Sequence, residues 1–159
     1  MSKVLVTYFS ASGVTAGAAE TLARAAGADL YEIRPAQAYT KEDLDWNNKQ
    51  SRSSLEMTDE TSRPEMADND SHAGDYDVIF IGFPIWWGVA PRVVNTFIES
   101  NDLTGKKIVI FATSGGSGID YAINDMKKRY PQLAIAGGRL LSRKDTDAEM
   151  RNWVEELGL

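Results

Sequence analysis

The sequence contains no cysteine and only one histidine among its 159 residues. The absence of cysteine excludes disulfides, thiolate zinc sites, iron–sulfur clusters and cysteine nucleophiles. Any redox chemistry of this protein therefore has to come from a bound organic cofactor.

Long hydrophobic runs are also missing, because no apolar stretch approaches the roughly 20 residues that span a bilayer. The N-terminus lacks the basic flank and apolar core of a secretory signal. Positive charge is scarce as well, since 17 Lys and Arg stand against 23 Asp and Glu, a formal net charge of −6. This acidity disfavours nucleic acids and anionic membranes as partners and favours basic proteins. We therefore expect a cytoplasmic protein that binds no nucleic acid and does not insert into membranes.

The length and composition are typical of one globular domain. Apolar residues make up 43% and charged residues 25% of the chain, which is the balance of a folded protein rather than a disordered one. We expect residues 1–159 to form a single domain with one cofactor site.

Short apolar runs rich in Val, Ile and Phe predict five strands. Such runs are typical of strands that are buried on both faces of a parallel sheet. The predicted strands are residues 4–9, 29–33, 78–83, 108–113 and a segment between 133 and 142. Within the last segment, Gly137 and Gly138 predict a bulge or a break.

Helical patterns separate the predicted strands. Apolar residues recur at helical spacing in four segments: residues 14–26, 91–99, 119–130 and 146–157. Thr146 and Glu149 have the spacing of a capping box, and Gly27 favours the end of the first helix. Because strands and helices alternate, the sequence predicts an α/β protein with a doubly wound sheet of five parallel strands.

One polar stretch, residues 35–76, interrupts this alternation. A structureless segment of this length is unusual inside a compact domain, so we predict a short helix over residues 41–49, capped by Thr40. Four large apolar side chains should hold the rest in place: Trp46, Leu55, Met57 and Met66. Two interpretations stay open, a solvated insertion without a role and a lid over a site.

The first predicted strand is followed by a turn of hydroxyl residues and glycine: Ser10, Ala11, Ser12, Gly13, Val14 and Thr15. Ligands of doubly wound sheets bind at the carboxyl ends of the strands, and the free N–H groups of a helix start suit a phosphate dianion. No Lys or Arg lies between Lys3 and Arg24, so backbone dipoles and hydroxyls would hold the phosphate, and a Walker A loop is excluded. The alternative is that Ser12 merely caps an ordinary helix.

Two further loops follow strong strands. The loop after the third strand contains adjacent tryptophans: Pro84, Ile85, Trp86, Trp87 and Gly88. Both indoles cannot belong to the core by periodicity, so at least one should offer its face to a flat ligand. The loop after the fourth strand can present N–H groups to the acceptor edge of a heterocycle; its residues are Thr113, Ser114, Gly115, Gly116, Ser117 and Gly118.

The three loops follow in the order phosphate turn, tryptophan loop and glycine-rich loop. In this order the chain resembles the flavodoxins, a family of FMN-binding electron carriers. Residues 10–15 match the family's phosphate loop, S/T-x-S/T-G-x-T. The resemblance implies the strand order 2-1-3-4-5, with residues 35–76 as an insertion between strands 2 and 3. It also implies FMN as the cofactor, with residues 84–88 flanking its isoalloxazine ring and residues 113–118 holding its pyrimidine edge. The Trp87–Gly88 peptide is our candidate for a hydrogen bond to the flavin N5, and glycine would let it reorient.

Two segments are also similar to those of FMN-dependent NAD(P)H quinone reductases, namely Pro-x-x-Trp and Thr-Ser-Gly-Gly-Ser-Gly. In that family a tyrosine three residues after the last glycine lies beside the flavin, and Tyr121 matches it. Gly88 departs from the bulky residue that those reductases often carry, and the chain is shorter than theirs.

The sequence therefore favours an electron carrier between redox partner proteins and leaves a second function open. That second function is an FMN-dependent NAD(P)H oxidoreductase that acts on quinones or similar small acceptors. An FMN-free signalling domain is a third class, and the lack of an acidic cluster after the first strand argues against a phospho-receiver.

The insertion leaves the carboxyl end of the second strand, which is the edge that carries the phosphate turn. We therefore hypothesise that Trp46, Arg52 or Arg63 reaches the exposed rim of the flavin.

Overall fold

The computed structural model describes residues 2–159 and contains five parallel strands in the order β2-β1-β3-β4-β5. The strands are β1 Val4–Tyr8, β2 Asp29–Glu32, β3 Val78–Pro84, β4 Lys107–Thr113 and β5 Ala134–Leu140. This topology confirms the predicted α/β class and strand order. Apolar continuity located the three central strands because they are buried on both faces.

Within residues 2–159, four α-helices lie between successive strands: α1 Val14–Ala26, α2 Arg52–Thr58, α3 Arg92–Glu99 and α4 Asp120–Arg129. A fifth, α5 Asp147–Leu157, follows β5. A short 3₁₀ turn, Ala73–Asp75, precedes β3. The predicted capping box of α5 is present, since Thr146 Oγ1 accepts from the Glu149 N–H at 3.1 Å and Glu149 accepts from the Thr146 N–H at 3.0 Å. None of the helices within residues 2–159 combines the length and the hydropathy needed to cross a bilayer.

The core has two layers because successive side chains of a strand point to opposite faces of the sheet. In β3, Val78 and Phe80 pack with α1 and α5 on one face. Ile79 and Ile81 pack with α3 and α4 on the other face. With helices on both faces, the sheet leaves only its edges and strand ends for other interactions.

Two glycines let neighbouring strands approach closely. A Cβ at Gly82 would lie 2.0 Å from Cζ of Phe111, its partner across β3 and β4. A Cβ at Gly138 would lie 2.3 Å from the carbonyl oxygen of Ile110. The register of β4 and β5 shifts between Ile108 and Val109, whose partners are Ile135 and Gly137. This shift confirms the bulge predicted from Gly137 and Gly138.

The predicted helix over residues 41–49 is wrong. Thr40 does cap a first turn, because its Oγ1 accepts from the Asp43 N–H at 3.1 Å, but the turn does not propagate. Asp45 accepts from the Asn47 N–H at 3.1 Å and Asn48 accepts from the Gln50 N–H at 2.9 Å. These local side-chain bonds compete with helical hydrogen bonding.

The helix of the insertion lies further along, at Arg52–Thr58, where Ser51 is the N-cap and accepts from the Ser54 N–H at 3.3 Å. Of the four side chains expected to hold the insertion, Met57 is buried and Met66 packs against the core. Trp46 and Leu55 are 71% and 51% exposed, so the prediction that they pin the insertion is wrong.

We predict that Gly82→Ala destabilises the protein by about 1–3 kcal/mol, because the added methyl group would overpack a buried strand against the Phe111 ring. The matched control is Gly17→Ala on α1, where a Cβ meets no atom within 4 Å. That change should stabilise the protein by about 0.5–1 kcal/mol. Urea unfolding of both variants measures the two effects, and an unchanged midpoint for Gly82→Ala would contradict the steric argument.

Candidate functional site

Thr113, at the end of β4, connects the three loops that the sequence singled out. Its hydroxyl forms a buried hydrogen bond with the hydroxyl of Thr15 at 2.7 Å. Its carbonyl oxygen accepts from the Ile85 N–H at 2.9 Å. The turn before α1, the loop after β3 and the loop after β4 therefore meet at the carboxyl edge of the sheet.

A cleft of about 490 Å³ opens at this edge. Two of the predicted loops line it, through residues 85–87 and 114–117, and the insertion contributes Leu44, Trp46 and Ser53. This volume lies within the range of small-molecule sites, about 300–1,000 Å³. None of the lining residues is charged, so the cleft suits a neutral, largely apolar group.

The turn that precedes α1 leaves the start of the helix open. Gly13 is the N-cap, with φ +93°, and no side chain of residues 2–159 caps the N–H groups of the first turn. The alternative that Ser12 caps the helix is therefore wrong, and Ser12 is exposed. Uncapped N–H groups at the positive end of the helix dipole can bind an anion.

The side chains of this turn are arranged around that opening. Ser10 Oγ accepts from the Gly13 N–H at 3.1 Å, which closes the turn. A Cβ at Gly13 would meet no atom within 4 Å. The turn is therefore shaped by its own hydrogen bonds and keeps free space next to the helix start.

The tryptophan loop is a tight two-residue turn. Trp86 and Val89 exchange backbone hydrogen bonds at 3.0 Å in both directions, and between them Trp87 and Gly88 have φ values of +51° and +82°. A non-glycine residue in the left-handed region costs about 1–2 kcal/mol. Such local strain persists where the surrounding structure or a function maintains it.

The two indoles have different surroundings, as predicted. Trp86 packs edge to face against Phe9 and Tyr39, with ring centroids 5.6 and 5.3 Å away. Trp87 is 46% exposed. A Cβ at Gly88 would lie 3.5 Å from Cδ1 of Tyr121, so the tyrosine predicted to belong to the site lies beside this turn and is 70% exposed.

The loop after β4 is partly closed on itself. Ser114 Oγ accepts from the N–H groups of Gly116 and Ser117 at 3.1 and 2.7 Å. Two of the N–H groups that we expected to face a ligand are therefore already bonded. A Cβ at Gly115 or Gly118 would meet nothing within 4 Å, so the backbone there stays open to close approach.

The insertion is held over this edge by Arg52. Its guanidinium carbon lies 3.8 Å from the centroid of the Tyr39 ring, and its N–H groups donate to the Gln37 carbonyl at 2.9 Å and to Glu56 at 3.0 Å. The Tyr39 hydroxyl also donates to Glu56. Burial and this carboxylate raise the pKa of Tyr39, so the hydroxyl stays protonated and remains a donor.

Arg92, on α3, holds the other end of α2. Its buried guanidinium donates to the carbonyl oxygens of Glu56 and Met57 at 3.3 and 3.0 Å. Within residues 2–159 no carboxylate lies within 4 Å of it, and burial lowers the pKa of Arg92. A cation at the C-terminal carbonyls of a helix is favoured by the helix dipole.

We expected Trp46, Arg52 or Arg63 to reach the rim of a ligand, and their contacts distinguish between the three. Arg52 is occupied by Tyr39 and Glu56, and Arg63 pairs with Glu99 on α3 at 3.0 Å. Trp46 alone of the three lines the cleft. The sequence did not indicate Leu44 and Ser53 as lining residues, because a polar insertion without periodicity does not reveal which side chains turn toward the sheet edge.

The residues present fit a planar cofactor with a phosphate. An anion can bind at the open start of α1, and a flat ring can lie against the exposed indole of Trp87. No group of three or more His, Asp or Glu residues within residues 2–159 is placed to bind a metal ion. The fold and the cleft together define a doubly wound α/β protein with a candidate cofactor site at the carboxyl edge of its sheet.

Comparison with known proteins identifies the family. A family model described as Flavodoxin matches residues 3–157, and the chain therefore belongs to the flavodoxin family. Comparison with curated proteins gave no match.

Solved structures agree with this fold. The crystal structure of a candidate flavoprotein from Bacteroides eggerthii DSM 20697 is 54% identical, with a TM-score of 0.96, over 100% of this chain and 99% of that one. The crystal structure of a second candidate flavoprotein, from Bacteroides uniformis ATCC 8492, is 47% identical. Its TM-score is 0.93, over 97% of this chain and 98% of that one. A flavoprotein from Lactobacillus acidophilus NCFM in complex with FMN is 21% identical. Its TM-score is 0.74, over 96% of this chain and 99% of that one.

We predict that Arg92→Met loosens the insertion without unfolding the sheet. The two carbonyl groups of α2 lose a charged donor, which costs about 1.5–3 kcal/mol. Hydrogen exchange should therefore become at least about tenfold faster at the α2 amides and stay unchanged at those of β3. Arg24→Met, at an exposed position of α1, is the control. Unchanged exchange in α2 would show that Arg92 does not hold the insertion.

Proposed function

We propose that this protein is an FMN-dependent electron carrier that exchanges electrons with larger redox proteins. The principal support is the carboxyl edge of the sheet. Thr113 there connects the uncapped start of α1 to the loop of a cleft that has an exposed indole and an uncharged lining. FMN as the cofactor, the prediction from the sequence, agrees with membership of the flavodoxin family. The FMN bound in the Lactobacillus flavoprotein supports the same cofactor for this fold.

Each predicted loop has a role in this proposal. Residues 10–15 hold the phosphate through backbone N–H groups and hydroxyls. Residues 84–88 and Tyr121 flank the isoalloxazine ring with aromatic surface. Residues 113–118 supply backbone groups to its pyrimidine edge, with Gly115 and Gly118 allowing close approach. When bound, FMN supplies reversible one- and two-electron transfer, and the protein orients the ring and limits its contact with water.

The charge of the chain and of the cleft lining favours a low reduction potential for bound FMN. The lining of the cleft carries no Lys or Arg, and the chain has a formal net charge of −6. Additional negative charge on a reduced ring would therefore find no counter-ion in the cleft. An acidic carrier also suits partner proteins with basic docking surfaces.

The alternative is an NAD(P)H-dependent reductase of quinones or similar acceptors, which the position of Tyr121 beside the tryptophan turn favours. Such an enzyme has to bind the pyrophosphate of a dinucleotide near the flavin, which basic side chains commonly do. Their absence from the cleft lining supports the carrier.

We predict that the purified FMN-loaded protein keeps its yellow colour when NADH or NADPH is added without oxygen. Adding a catalytic amount of a flavin-containing NADPH reductase should then bleach it, because electrons reach a carrier through a protein partner. Absorbance in the flavin band measures both steps. Rapid bleaching by the nucleotide alone would contradict the carrier and favour the reductase.

We predict that Ser12→Asp weakens binding of FMN by at least about tenfold, because the new carboxylate repels the phosphate in the turn before α1. Riboflavin, which lacks the phosphate, should bind the variant and the wild type equally well. Titration of the apoprotein with both flavins measures the difference. An equal loss for both flavins would mean that Ser12→Asp disturbs the ring site, and the phosphate assignment would be wrong.

A further inference from the structure

We propose that Trp46 is a contact residue for the isoalloxazine ring, supplied by the insertion and additional to the tryptophans after β3 and to Tyr121 on α4. This inference rests on the proposed binding of FMN and adds a specific role for residues 41–50. It assigns to the insertion a part of the cofactor site that the phosphate turn and the tryptophan turn do not provide.

The first argument is the position of the indole. Trp46 lines the cleft with Trp87 and with residues 114–117. Its neighbour Leu44 also lines the cleft. The two large apolar side chains of this otherwise polar segment thus face the site rather than the main core. A group bound in the cleft would cover both side chains and remove their apolar surface from water.

The second argument is exposure. Trp46 is 71% exposed, so burial of the indole contributes little to folding, although a tryptophan can bury about 150–250 Å². Leu55, on the same insertion, is 51% exposed but does not line the cleft. Exposure alone is ordinary for single apolar residues; exposure on the wall of a cleft that suits a flat ring points to a ligand.

The third argument is preorganisation. The turn that carries Trp46 is fixed on its C-terminal side, because Asp45 accepts from the Asn47 N–H at 3.1 Å. The segment then enters α2, whose two ends are held by Arg52 and Arg92. A side chain on a fixed backbone loses less conformational entropy when it contacts a ligand, so its contact contributes more to affinity.

The chemistry of the contact follows from its surroundings. Trp46 has neutral neighbours along the cleft, and the open start of α1 is formed by other residues, 13–16. The indole should therefore recognise the planar ring and not the phosphate. Its contribution must be the same for FMN and for riboflavin, which share the ring.

The experiment compares Trp46→Ala, Trp46→Phe and Leu55→Ala in titrations of the apoprotein with FMN and with riboflavin. We expect Trp46→Ala to raise both dissociation constants by about three- to tenfold, by the same factor, because one aromatic contact is lost. Trp46→Phe should restore most of the affinity, and Leu55→Ala should match the wild type. Unchanged constants for Trp46→Ala, or a loss confined to FMN, would overturn the proposal.

A second readout does not depend on affinity. The chain has four tryptophans, so labelling with 5-fluorotryptophan gives four ¹⁹F resonances, and the spectrum of Trp46→Phe identifies that of Trp46. Riboflavin and FMN should both shift the Trp46 resonance through the ring current of the flavin, whereas Trp153, packed on Phe80, should stay in place. An unshifted Trp46 resonance in a protein that binds FMN would refute the contact while leaving the proposed function intact. A wild-type protein that binds neither flavin would refute both.

Discussion

The site depends on the two interactions of Thr113. Its hydroxyl bonds the hydroxyl of Thr15 in the first turn of α1, and its carbonyl accepts from Ile85 after β3. Both bonds lie where three parallel strands end, so they set the spacing between the open helix start and the tryptophan turn. A threonine at this position fixes the loops to one another through bonds within the chain, and loops fixed in this way lose less conformational entropy when they bind a ligand.

The insertion is stabilised differently from the rest of the molecule. The sheet is covered by apolar side chains on both faces, whereas residues 36–58 are held mainly by Arg52, Arg92, Tyr39 and Glu56. Charged hydrogen bonds of this kind are directional, so they fix geometry more strictly than hydrophobic contact does. The insertion therefore carries Leu44 and Trp46 to the cleft as parts of an ordered wall, which supports its interpretation as part of the site.

The central strands could be predicted because burial on both faces requires a continuous apolar run. Most helices could be predicted because burial of one face leaves apolar residues at helical spacing. The start of α1 was also predictable, since glycine and hydroxyl residues at a strand end have a direct physical meaning. The short helix of the insertion was misplaced because the side chains of Asp45 and Asn48 accept from backbone N–H groups two residues further on, an effect that composition does not reveal. Arg92 was missed because a charged residue is expected at the surface, and Trp46 was misjudged because a large apolar residue is expected in the core.

The left-handed backbone of Trp87 has a consequence for anyone who engineers this protein. Glycine or asparagine would adopt φ +51° with less strain, so variants at this position should score well in any screen for thermal tolerance. The same screen would remove the exposed indole from the cleft. Because the proposed site places this indole against the cofactor, a screen for heat resistance alone would select against the proposed contact.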